Sequence, residues 1–301
     1  MKQVATAFAP GKLILAGEHA VVYGHLALAV AVDRGTRVRV WRRPGPSGLD
    51  VGSDLDDPRL VPALAAILPQ EGVGVQIWSD LPIGRGMGSS AALAVALVRA
   101  LAELEGRCAG HDECVARGFA MERVFHGTPS GLDHTVSSLG GCIAYRRGPG
   151  GVEVERVIAP TLSLVVLDSG SAGDTAALVG GVASRRPGID PVLAEIGALA
   201  AEVRALLLAV SDPDEAARQL GPLLFENHRL LQKIGVSTPA LDGLVELARD
   251  AGATGAKLAG AGGGGVVLAL IAGDPAPLLA AAAAQGVNAF PARLAPAQQE
   301  P

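Results

Sequence analysis

The chain has 301 residues and a formal net charge of −5; 18% of its residues are charged and 3% are aromatic. Without a basic surface or stacking aromatics, nucleic acid and acidic lipid are not the expected partners. The length fits one large domain or two ordinary ones, with room for a substantial core.

The cysteines Cys108, Cys114 and Cys142 form no C-x-x-C pair, so neither a disulfide framework nor a zinc site is signalled. A reducing cytoplasm is the expected compartment. Charge or proline interrupts every apolar stretch before it reaches spanning length, so no membrane segment is expected.

In chain order, residues 4–9 and 12–16 read as short strands split by Pro10 and Gly11. Residues 26–32 and 36–41 read as two more, separated by a turn at Asp33-Arg34-Gly35. Residues 43–58 form a loop, 58–68 carry helical spacing, and 74–79 form a strand. That strand leads into Pro82-Ile83-Gly84-Arg85-Gly86-Met87-Gly88-Ser89-Ser90. Glycine at every second position lets a ligand approach the backbone, and a helix start behind it suits a phosphate. The spacing predicts a helix over 89–105 with Ser89 or Ser90 as N-cap, closed by Gly106.

A second helix is expected over 112–125, with Val115, Phe119, Glu122 and His126 on one face. A carboxylate on a core-facing stripe needs a partner. Spacing alone favours an arginine, Arg117 or Arg123, over a metal. Gly127 to Asp133 reads as a turn bearing Ser130 and Asp133, before a strand over 142–146.

Composition changes near 147–160, which predicts one unit over 1–155 and a second over 156–301. The second opens on a strand at 162–167. Helices follow from Asp190-Pro191, over 213–234 and from Thr238-Pro239 to Gly252. A glycine run at 260–265, a strand over 266–271, a helix near 277–284, a strand near 287–290 and a frayed tail from Ala295 complete the chain. Strands and helices mix without regular βαβ alternation, so the class is α+β.

Four stretches together resemble the GHMP family of small-molecule kinases, and within it the branch acting on mevalonate. They are Pro10-Gly-Lys-Leu-Ile-Leu-Ala-Gly-Glu-His-Ala-Val-Val-Tyr-Gly24, Pro82–Ala92, Gly127–Asp133 with Gly140-Gly141, and Lys257–Gly265. The resemblance also takes in Glu226-Asn-His-Arg-Leu-Leu and Gly235-Val-Ser-Thr. It implies a two-domain fold with its active site in the cleft between the domains. It also implies phosphorylation of the 5-hydroxyl of mevalonate by ATP with Mg²⁺.

By that resemblance Pro82, Gly84, Gly86, Met87, Gly88, Ser89 and Ser90 cradle the triphosphate. Ser90 and Glu122 hold magnesium, which reverses the arginine reading of Glu122. Asp133 is the catalytic base and Lys12 its cationic partner. Glu18, His19, Ser130 and Thr175, with Lys12 and Asp133, line the substrate, and a homodimer is possible. The stretches 169–175 and 43–58 depart from the family pattern, and the adenine contacts are not identified. The alternatives are a sibling kinase acting on another small alcohol such as phosphomevalonate, and a silent ligand sensor. The sensor reading expects loss of Lys12, Glu122 or Asp133, and all three are present.

Overall fold

A bent strand of 20 residues, β2 (Ala27–Pro46), is the spine of the first half. It pairs antiparallel with β1 (Val4–Ala16), β4 (Glu71–Ser79) and β5 (Cys142–Gly148). The two-residue β3 (Gly48–Leu49) and the exposed β6 (Gly151–Val157) form the edges. The computed structural model describes residues 3–50, 57–126, 131–148 and 150–297.

The expected strand breaks at Pro10-Gly11 and Asp33–Gly35 are not breaks. Pro10 pairs with Gly35 and Lys12 with Ala31, so the register shifts between them. Pro10 has no N–H to give the ladder, and a bulge is where a strand tolerates that. The bulge sits directly before Lys12. The expected loop from residue 43 likewise begins later, because β2 runs on to Pro46.

Among the described residues this half has the helices α1 (Leu60–Ala65), α2 (Ser89–Leu104), α3 (His111–His126) and α4 (Leu132–Leu139). Helix α2 is buried without interruption from Ala91 to Val98. It packs on β1 and β2 and touches both α3 and α4. Its alanines are small enough to let sheet and helices approach it from every side. Helix α3 turns a different face inward from the one expected. Cys114, Gly118, Met121 and Glu122 are buried, whereas Phe119 is 38% exposed.

The second half is an antiparallel sheet in the order β10-β7-β9-β8. Its strands are β7 (Ser163–Asp168), β8 (Gly255–Ala259), β9 (Val266–Ile271) and β10 (Asn288–Arg293). Its helices are α5 (Thr175–Ser184), α6 (Asp190–Ala209), α7 (Pro213–Lys233), α8 (Pro239–Asp250) and α9 (Ala276–Ala284). Start signals explain two of them. Asp212 accepts from the Glu215 N–H at 2.8 Å and Thr238 from the Leu241 N–H at 3.3 Å, and a proline opens each helix.

Leu13, Leu28 and Val30 of the first half share one apolar cluster with Val166, Leu231 and Leu268 of the second. The supposedly frayed tail docks as far as Ala297. The Ala295 N–H donates to the Ala31 carbonyl at 2.8 Å, and Ala297 bridges to Gly140. Among the described residues, no helix is long and apolar enough to cross a membrane.

Candidate active site

The glycine loop between β4 and α2 has the expected geometry. Gly84, Gly86 and Gly88 all adopt left-handed φ, at 68°, 83° and 70°. Gly88, not a serine, is the N-cap of α2, and no side chain caps the helix. The first N–H groups of a 16-residue helix therefore face the loop without a side-chain acceptor from the cap, an arrangement that favours an anion. A Cβ on Gly88 would lie 3.0 Å from Cγ of Lys12, so glycine here gives the lysine stem its path. Pro82 and Met87 shape the same turn, with Met87 fully buried.

Lys12 reaches this loop from the β1 bulge. Its backbone N–H donates to the Met87 carbonyl at 2.9 Å, and its Nζ lies 3.2 Å from Oδ1 of Asp133. Asp133 stands in the first turn of α4, not in the turn expected from its glycine and proline neighbours. The helix start favours its negative charge. Lys12 is almost wholly buried while Asp133 keeps some exposure, so the pair presents one accessible carboxylate beside a desolvated cation.

Ser90, in the first turn of α2, donates to Oε1 of Glu122 on α3 at 2.7 Å. Glu122 is buried, and its Oε2 stands 3.9 Å from Nδ1 of His134 on α4. Arg117, one of the expected partners, pairs with Glu113 and the Ile67 carbonyl. A groove lined by Ile83, Gly84, Ser89, Ser90 and Phe125 opens alongside, with Arg59 over the Phe125 ring at 5.3 Å.

Glu18, expected beside the substrate, is instead a tie between the halves. It is 1% exposed and both its oxygens are taken. Lys257 of β8, at 0% exposure, donates to Oε1, and Asn227 of α7 donates to Oε2 at 3.1 Å. The same ammonium also reaches the carbonyls of Ile14 at 3.2 Å and Leu258 at 2.7 Å, so its three protons are used. Burial lowers the Lys257 pKa from the usual lysine range, and Glu18 opposes that shift. Sequence reading missed this lysine as an ion-pair partner; its signal was a lone charge inside the apolar run Gly255–Ala259.

His19 follows with φ 59°, and its Nε2 hydrogen-bonds the Ala261 carbonyl at 2.9 Å. Burial lowers its pKa, against the pull of that carbonyl. The bond selects the Nε2–H tautomer and leaves Nδ1 as an acceptor. Arg85 links the glycine loop to the second half, donating to the Gly170 carbonyl at 2.9 Å with Asp168 3.5 Å away. Thr175 is exposed at the start of α5. Ser130 lies outside the described residues.

Two family models match the chain: the GHMP kinases N terminal domain over residues 59–141 and the GHMP kinases C terminal over 205–288. The chain belongs to the GHMP kinase family. A mevalonate kinase of Pyrococcus abyssi (strain GE5 / Orsay) is 36% identical over 306 positions, covering 91% of this chain and 90% of that one. One of Thermococcus sibiricus (strain DSM 12597 / MM 739) is 37% identical over 297 positions, covering 88% of each. Among solved structures, L. major mevalonate kinase in complex with R-mevalonate superposes with a TM-score of 0.86 at 27% identity, covering 98% of this chain and 97% of that one. This GHMP kinase therefore has the mixed α+β fold of a small-molecule phosphotransferase, with its N- and C-terminal family domains in the expected order.

Proposed function

We propose that this kinase transfers the terminal phosphoryl group of ATP to the 5-hydroxyl of mevalonate, giving 5-phosphomevalonate and ADP on the route to isoprenoids. The observation that carries the reading is the Lys12–Asp133 pair at 3.2 Å, with the lysine stem against Gly88 of the glycine loop. Phosphoryl transfer needs positioning, charge neutralisation and a group to take the acceptor's proton. Asp133 takes that proton, and Lys12 stabilises the negative charge on the acceptor oxygen as it develops. The loop Gly84–Ser90 and the start of α2 bind the triphosphate. His19, held by Ala261, offers Nδ1 to the acceptor.

Ser90 and Glu122 suit magnesium, because both offer oxygen, the donor that a hard cation prefers. Among the described residues no three His, Cys, Asp or Glu side chains cluster as a protein-only cage. When bound, magnesium would neutralise charge on the phosphate oxygens.

The three unpaired cysteines support a cytoplasmic setting. The division at 155/156 is kept as part of this reading, since the two family models fall on either side of it.

A panel of acceptors in a coupled ADP-release assay tests the function. Mevalonate is expected to be turned over well above phosphomevalonate and simple sugars. Activity on another acceptor with none on mevalonate would overturn the assignment.

A further inference from the structure

His134 is a polar group that the fold has no need to bury. It is 0% exposed, and among the described residues neither ring nitrogen has a hydrogen-bond partner. An unpaired buried donor or acceptor destabilises a fold and calls for an explanation. Two of its neighbours are apolar and close. Gly118 of α3 brings the helices together, since a Cβ there would lie 3.7 Å from Cβ of His134. The Phe119 ring meets the imidazole edge-on, with centroids 5.8 Å apart. A leucine would suit such a position better.

What His134 does have is Glu122. The 3.9 Å from Nδ1 to Oε2 is about 1 Å longer than an ordinary N–H···O bond. Rotation about the last torsion of a glutamate is soft, so this gap can close without moving a helix. The other oxygen of Glu122 already accepts from Ser90. Side chains from α2, α3 and α4 thus stand in a row, and the residue before His134 is Asp133.

We propose that His134 is a positioning residue: its Nδ1–H donates to Glu122 and holds that carboxylate in register with Ser90 and with the helix that carries Asp133. The inference rests on the reading of Ser90 and Glu122 as the magnesium pair. Groups that orient a metal ligand from behind typically change metal affinity by about 10–100-fold when removed.

The test compares His134→Leu, His134→Asn and Glu122→Gln with the unaltered chain. Free and bound Mn²⁺ are separated by electron paramagnetic resonance in the presence of a non-hydrolysable ATP analogue. Thermal unfolding is followed without metal or nucleotide. His134→Leu is expected to weaken Mn²⁺ binding by about 10–100-fold while unfolding at the same or a higher temperature. His134→Asn is expected to restore most of the binding, because its amide N–H falls near the place of Nδ1–H. If the leucine variant does not fold, His134→Gln replaces it, since its amide nitrogen matches Nε2 instead.

Unchanged Mn²⁺ binding in His134→Leu, with weak binding in Glu122→Gln, would overturn the positioning role and leave the metal reading standing. Unchanged binding in Glu122→Gln would overturn both. A leucine variant that melts lower, with asparagine binding just as weakly, would mark His134 as packing and also overturn the proposal.

Discussion

Replacing Lys257 by methionine tests how the two halves are joined. The stem length is kept and the ammonium is lost. Glu18 is then left buried with Asn227 as its remaining side-chain donor, and the carbonyls of Ile14 and Leu258 lose a donor each. Breaking a buried pair by removing one partner costs about 3–5 kcal/mol. At an unfolding entropy of about 2.1 cal/mol/K per residue, a chain of 301 residues should then melt about 5–8 °C lower. Glu18→Gln should cost a similar amount, because it strands the ammonium. The double variant Lys257→Met/Glu18→Gln removes both charges and keeps an acceptor for Asn227. It should cost less than the two singles added together, about 4–7 rather than about 6–10 kcal/mol, a coupling energy of about 2–3 kcal/mol, at the upper end for neighbouring residues. Urea and thermal unfolding of the four proteins complete the cycle. Single effects that add to within about 0.5 kcal/mol would refute the idea that the pair acts as a unit.

Two further predictions follow from the site. Asp133→Ala should lower kcat by at least about 100-fold while nucleotide affinity, measured by calorimetry, stays near normal, because the loss is of acceptor chemistry. Near-normal turnover would remove Asp133 from the catalytic role. Burial lowers the pKa of both His19 and His228 from the ordinary 6.5. Below that pH the unfolded chain takes up protons that the folded chain refuses, so stability falls as pH falls, by up to about 2.7 kcal/mol per pH unit for two groups. Above it both states are neutral at these positions and the effect vanishes. Urea midpoints at about pH 7.5, 6.5 and 5.5 should therefore be highest at the first; midpoints level or rising towards acid would contradict this.

The glycine loop was legible because its marks are local: alternating glycines before a helix, with serines behind them, stand within a dozen residues. Lys12, Glu122 and Asp133 were singled out by the family resemblance, since spacing alone gives each an ordinary structural reading. Several structural features were not legible because their causes are distant. Pro10-Gly11 looks like a strand break until Gly35 stands opposite and absorbs it as a bulge. Glu18 looks like a substrate contact until Lys257 arrives from β8. The inward face of α3 was misjudged because Gly118 carries no hydrophobic signal, yet a Cβ there would lie 3.6 Å from Cβ of Ala94 on α2 and 3.7 Å from Cβ of His134 on α4. Helix α4 was hidden by the small and polar residues around Asp133, most of which turn out to be buried.

The Glu18–Lys257 tie also sets an order of events during synthesis. Its two ends are 239 residues apart, and His19 waits 242 residues for Ala261. At about 5–20 residues per second, a ribosome needs roughly 12–48 s to deliver the second partner after the first. Throughout that interval the turn at residues 17–19 carries a carboxylate destined for burial but still in need of water. The turn at residues 17–19 is therefore among the last parts of the fold to set, since its partners arrive only with β8 and the loop behind it.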